Sequence, residues 1–197
     1  GGNVPPTITT QPISQSVKQG TNATFTVGVS GTAPFAYQWR LNGADISGAT
    51  ASSYTRANVQ PADAGTYSVV VTNAYGMATS SGALLTVVVP PTITTQPLSQ
   101  TVTQGQNATF TVAASGTAPF TYQWRFNGAP IGGATASSYT RSNVQLSDAG
   151  DYSVVVANSA GSDTSAKAVL TVVVPPVPPA ITTQPQGQTV VLGETAA

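Results

Sequence analysis

Six carboxylate side chains, Asp45, Asp63, Asp148, Asp151, Asp163 and Glu194, are the acidic groups of this 197-residue chain, which contains no histidine and no cysteine. Without histidine, a serine–histidine–aspartate nucleophile and imidazole metal ligation are excluded. Without cysteine, thiolate nucleophiles, thiolate metal sites and disulfides are excluded too. Only Asp148 and Asp151 lie close together in sequence. Holding Ca²⁺ between them would need several carbonyl ligands besides. The glycines follow no phosphate-loop spacing. The residue types therefore point to no catalytic site, no metal and no cofactor.

The remaining charges suggest structure. Arg56 and Arg141 each stand seven residues before an aspartate, Asp63 and Asp148. The expected arrangement packs the arginine stem and pairs its head with that carboxylate. Asn22-Ala23-Thr24 and Asn107-Ala108-Thr109 match the N-glycosylation triplet, a triplet common by chance, and the favoured reading is the polar start of a strand. Six Lys and Arg against six Asp and Glu leave no net charge, so the clustered basic surface that nucleic acid requires is missing. The longest apolar run, Leu84–Val89, is far too short for a membrane span. The chain begins at Gly1 without methionine, which is read as a mature product or an excised piece.

The elements that must position these residues come in copies. Residues 5–89 and 90–174 align without a gap and differ at 22 of 85 positions. The run Pro-Pro-Thr-Ile-Thr-Thr-Gln-Pro opens at Pro5, returns at Pro90, and returns with one change at Pro178. A fixed period of this length marks a tandem array, and 85 residues suffice for one modest core. The expected organisation is a lead at 1–4, a domain at 5–89, a domain at 90–174, a proline-rich linker at 175–179 and a partial third repeat at 180–197. That last piece has the opening strands but neither Trp nor Tyr. Thr66 stands in the first repeat where Asp151 stands in the second, so no ion site is encoded twice.

Within one repeat, apolar residues alternate with polar ones at the period of a half-buried strand. Thr24–Val29 does so, and Phe35–Leu41 places Phe35, Tyr37, Trp39 and Leu41 on one face. Further strands are expected at Gln15–Lys18, Tyr54–Val59, Tyr67–Val71 and Ala83–Val89. Asn42-Gly43 is a strong hairpin signal, and Asp63-Ala64-Gly65 and Asn73–Gly76 turn the chain. Seven or eight short strands without a helix predict an all-β protein in which each unit is a two-sheet sandwich.

Asp63-Ala64-Gly65-Thr66-Tyr67 and Asp148-Ala149-Gly150-Asp151-Tyr152 resemble the corner motif of immunoglobulin-like domains. Trp39 and Trp124 stand where that family places its core tryptophan. The chain is most similar to I-set-type domains found in long arrays on bacterial surface and secreted proteins. The resemblance covers residues 5–174. It implies all-β, tandem immunoglobulin-like β-sandwiches, two full domains and the start of a third, with no disulfide. It also places Val27 and Val69, and Val112 and Val154, at the positions of the family's cysteine pair. A bridge there would contribute about 4 kcal/mol, and two buried valines return roughly 1.5–3 kcal/mol each. The resemblance further implies that the Tyr67 and Tyr152 hydroxyls bond backbone across the corner. Arg56 and Arg141 depart from it, since an aliphatic side chain is usual there.

The outward positions of the Trp strand and the corner strand form one face. It carries Gln38, Arg40, Ser68, Val70 and Thr72 in the first repeat, and Gln123, Arg125, Ser153, Val155 and Ala157 in the second. Related domains often use this sheet for partners, while the plainer reading is a solvated surface. Val89 runs directly into Pro90-Pro91, so the join is expected to be short and semi-rigid. Three readings of function follow. The first is a non-catalytic, secreted or cell-surface spacer that displays, adheres or assembles. The second is a subunit that associates with its own copies head to tail through the terminal strand segment. The third is a protein- or glycan-binding accessory of a larger secreted enzyme. Tyr75 is the one loop aromatic suited to sugar, and the second repeat has Ala160 there, so no repeated sugar site is expected.

Overall fold

A computed structural model describes residues 2–193; Gly1 of the lead and the last four residues of the third repeat, Glu194 included, lie outside the described residues. The first unit contains β1 (Thr7–Thr10), β2 (Gln15–Lys18), β3 (Ala23–Thr26), β4 (Gly28–Ser30), β5 (Ala36–Leu41), β6 (Ala44–Asp45), β7 (Ser53–Arg56), β8 (Gly65–Asn73), β9 (Gly76–Thr79) and β10 (Ala83–Val88). The second repeats them as β11 (Thr92–Thr95), β12 (Gln100–Thr103), β13 (Ala108–Thr111), β14 (Ala113–Ser115), β15 (Thr121–Phe126), β16 (Ala129–Pro130), β17 (Ser138–Arg141), β18 (Gly150–Asn158), β19 (Gly161–Thr164) and β20 (Ala168–Val173).

Each unit thus has ten strand segments rather than seven or eight. The strand expected at Thr24–Val29 changes partner midway: β3 pairs with β7, whereas β4 pairs with β1. The chain does not stop there, since the Val27 N–H donates to the Ser52 carbonyl at 3.1 Å. The strand expected at Tyr54–Val59 ends at Arg56, because Asn58 takes a φ of 50° that an extended ladder excludes. The hairpin strand β9 was absent from the alternation pattern, because Gly-Met-Ala-Thr shows no clear period. At Asn42-Gly43 both residues have positive φ, 50° and 83°, as a two-residue hairpin turn requires.

One sheet runs β2-β10-β8-β5-β6 with β9 on β8, and the opposing layer is β1-β4 with β3-β7. All pairings are antiparallel except β2 on β10 and its copy, β12 on β20. Alternation decides what each layer buries: in β3, Ala23 and Phe25 face the core while Thr24 and Thr26 face solvent. Trp39 and Trp124 are fully buried, and Val27, Tyr67 and Val69 join Trp39 in one cluster, as Val112, Tyr152 and Val154 join Trp124. The Trp39 and Trp124 indole N–H groups donate to the carbonyls of Ala51 and Ala136, each at 2.9 Å, so the buried donor has its partner.

The units meet without a spacer. Val88 still belongs to the first, its carbonyl accepting from the Gln19 N–H at 2.9 Å. The next residue, Val89, is bound to the second: its N–H donates to Thr117 Oγ1, and its carbonyl accepts from the Thr117 N–H and Asn158 Nδ2. Beyond Val173, residues 174–193 form no strand.

Candidate functional site: the corner clasp and the adjoining sheet

The chain passes from β7 to β8 through a single 3₁₀ turn, Pro61–Asp63. The turn points the Asp63 carboxylate back toward its own start. One oxygen accepts from the Gln60 N–H at 2.8 Å, and the other pairs with Arg56 Nε at 2.9 Å. The Tyr67 hydroxyl then donates to the Asp63 carbonyl at 2.9 Å. Gly65 is needed in this turn, since a Cβ there would come within 2.7 Å of the Asn42 side chain and 2.9 Å of Leu41. In the second unit the carboxylate of Asp148 takes the Gln145 N–H at 2.8 Å and Arg141 Nη2 at 2.8 Å, and the Tyr152 hydroxyl donates to the Asp148 carbonyl at 3.0 Å.

Burial by itself would push both carboxyl groups up. For Asp63 the Gln60 amide and the Arg56 guanidinium outweigh burial, and for Asp148 the Arg141 guanidinium and the Gln145 amide do, so both titrate below the usual carboxylate range. The arginines are held protonated more firmly by their partners. Burial pushes the Tyr152 phenol up to about 12, with help from the nearby Asp148 charge, and raises Tyr67 for the same reasons. A carboxylate kept ionised by a cation is a poor proton donor, and a phenol kept protonated is a poor nucleophile. The cluster is chemically equipped to fasten the turn between two strands.

The other carboxylates are drawn elsewhere. Asp151 pairs with Lys167 at 2.9 Å, and both residues are new in the second unit, where Thr66 and Gly82 stood. Asp163 accepts from the Ile93 N–H at 2.8 Å and ties β19 to β11. Among the described residues no three acidic side chains gather as a metal site would need. The amide oxygens of Asn22 and Asn107 accept from the N–H groups of Asn58 and Asn143.

The outer face of β5 and β8 is more enclosed than a solvated surface. Val70 is buried, while Val155 is half-buried. Each sits inside its sheet, flanked by the Trp strand on one side and the hairpin strand on the other. The amide of Gln38 donates to the carbonyls of Trp39 and Ile46, and Gln123 repeats this toward Trp124 and Ile131, so both glutamines stitch an edge. Arg40 pairs with Asp45 at 2.6 Å across the β5–β6 hairpin. Arg125 faces Pro130 instead, and its Nε is buried with no acceptor.

A feature that sequence reasoning missed adjoins the second corner. Phe126, Ile131, Tyr139, Arg141, Asp148 and Tyr152 line a cleft of about 280 Å³. Its only sequence signal is the change from Leu41 to Phe126 between the repeats.

Comparison with known proteins agrees with the sandwich. A family model described as immunoglobulin domain matches residues 5–73 and 90–158. The chain belongs to the immunoglobulin domain family. Over 86% of this chain, these tandem domains and their flanks are 37% identical to the muscle M-line assembly protein unc-89 of Caenorhabditis elegans. They are 31% identical over 85% to endoglucanase C of Cellulomonas fimi. They cover only 2% and 16% of those two proteins. Among solved structures, an I-band fragment of titin superposes with a TM-score of 0.77 at 26% identity, covering 87% of this chain and 66% of that one. No helix among the described residues is long and apolar enough to cross a membrane.

Proposed function

We propose that these two immunoglobulin domains act as a non-catalytic, semi-rigid spacer in a tandem array, secreted or displayed at a cell surface, that sets distance for adhesion or assembly. The observation that carries this reading is the join. Val88 is hydrogen-bonded into one unit and Val89 into the next, and Pro90-Pro91 restricts the backbone immediately after. No unbonded spacer residue separates the two units, which supports a short join. The same three bonds recur at the front of the first unit, where Val4 meets Thr32 and Asn73, so the join is a repeating device. The likeness to an I-band fragment of titin supports a role in a string of domains.

Nuclear spin relaxation tests it. The backbone amides of both units should report one shared tumbling time, and inserting Gly-Ser-Gly-Ser between Val88 and Val89 should split that into two faster ones. Independent tumbling of the unaltered chain would remove the spacer reading. A second reading, an accessory module of a larger secreted enzyme, draws on the similarity to endoglucanase C. It places these domains beside a catalytic domain without changing their own chemistry.

A further inference from the structure

We propose that the cleft beside the second corner is a binding site for a single neutral pyranose ring, built on a phenylalanine wall that the first unit replaces with leucine. The cleft measures about 280 Å³, at the small end of the range that holds organic ligands. Its walls are the rings of Phe126, Tyr139 and Tyr152 with Ile131, and its polar edge is Arg141 and Asp148. Five of the six positions carry the same residue in both units, and the sixth is Leu41 in the first and Phe126 in the second. The new ring lies 5.0 Å from Tyr152 at an angle of 41°.

The arginine is also held differently. Arg56 meets its aspartate through Nε, while Arg141 uses Nη2. The Arg141 side chain remains 46% exposed, enough to meet a ligand from solution.

These features select the ligand class. Arg141 and Asp148 cancel each other's charge, so a free anion or cation gains no net attraction from the pair. Three aromatic walls ask for a partner with an apolar face. The edge both donates, through the guanidinium, and accepts, through the carboxylate, which suits neighbouring hydroxyl groups. A neutral pyranose presents a C–H face and a rim of hydroxyls in one small rigid body. The inference is independent of the spacer reading, whose test lies at the join.

Aromatic and methyl NMR signals of the full chain, titrated with glucose, galactose, mannose and N-acetylglucosamine, decide it. At least one sugar should shift the Phe126 and Tyr139 signals saturably in the millimolar range, while Leu41 and Tyr54 of the first unit stay in place. Phe126→Leu gives the second unit the residue with which the first already folds, and it should weaken that binding by about tenfold, the scale of one lost ring contact. Three results would overturn the proposal: no saturable shift with any of the four sugars, equal shifts in both units, or shifts that survive Phe126→Leu. Benzoate or butylammonium moving the same signals more strongly than any sugar would overturn it as well, by making this a site for a charged ligand.

Discussion

Replacing Pro130 by aspartate should stabilise the second unit by about 1 kcal/mol. In the first unit Arg40 Nε donates to Asp45 Oδ1 at 2.6 Å, from residues directly opposite each other in the β5–β6 hairpin. The second unit keeps the arginine and the register, with Arg125 opposite Pro130, but proline offers no side-chain acceptor. Arg125 Nε is left buried and unbonded. A desolvated donor without an acceptor costs about 1–3 kcal/mol. The charge pair adds little beyond satisfying that donor, because in the first unit the two side chains are 38% and 60% exposed and such pairs contribute about 0.2–1 kcal/mol. Removing proline frees the unfolded chain and subtracts about 0.4–1 kcal/mol. The balance favours aspartate, near the lower end of the first figure. Each unit has a single tryptophan, so thermal loss of the Trp39 and Trp124 indole signals follows the two units separately in one sample. A gain of 1 kcal/mol moves the midpoint of a domain this size by about 4–8 °C. The Trp124 midpoint should rise by that amount and the Trp39 midpoint should stay, while the reciprocal Asp45→Pro lowers Trp39 alone. An unchanged or lowered Trp124 midpoint in Pro130→Asp refutes the reasoning.

Other substitutions test the core and the clasp. Trp39→Ala should cost about 3–5 kcal/mol, which calorimetry would register as loss of the first unit's transition; a midpoint within about 1 kcal/mol of the parent would rule out its place at the centre of the core. Because Asp63 titrates below its ordinary range in the folded state, its contribution is present above the unfolded value and is lost as pH falls through the folded one. Asp63→Asn should therefore lower stability at pH 7 and flatten the acid limb of the first unit below about pH 4; an acid limb as steep as the parent's in denaturant titrations would argue against the pairing. For Tyr152, raised to about 12, the sign reverses: its contribution is complete below about pH 10 and disappears as pH rises toward 12. Tyr152→Phe should remove that alkaline limb and cost about 1–3 kcal/mol at neutral pH, since the Asp148 carbonyl loses its donor. Retention of the alkaline limb would show that another group causes it.

The parts of the fold that sequence discloses are those set by local chemistry. Alternation marks the inner face of β5 from Phe35 to Leu41, and Asn42-Gly43 marks its hairpin, because each depends on a few neighbouring residues. The seven-residue offset from Arg56 to Asp63 spans one strand end and one turn, short enough to suggest that they meet. What stays hidden depends on distant partners. The break at Val27 arises because β3 and β4 serve different neighbours, which no local pattern encodes. The enclosure of Val70 comes from β5 and β9 on either side of it. The cleft beside Asp148 needs Phe126, Tyr139 and Tyr152 from three strands, and a conservative change from leucine to phenylalanine gives no hint that the ring lines a cleft.

The absence of cysteine changes how the two sheets are fastened. A bridge between positions 27 and 69 would act mainly by restricting the unfolded chain. Here the fastening belongs to the folded state, and it is aromatic. Phe25 of one layer stacks on Tyr67 of the other with ring centres 4.6 Å apart, and Tyr54 spans back to Trp39 at 6.4 Å and Tyr67 at 6.0 Å. The second unit repeats the set with Phe110, Tyr152, Tyr139 and Trp124. Such ring pairs contribute about 0.5–1.5 kcal/mol each beyond their burial, so three of them approach the contribution of the missing bridge. Because none of these contacts involves sulfur, reductant cannot loosen the unit. The same core therefore serves in an oxidising or a reducing compartment, and repeated along an array it gives every unit a fastening that needs no oxidative step to form.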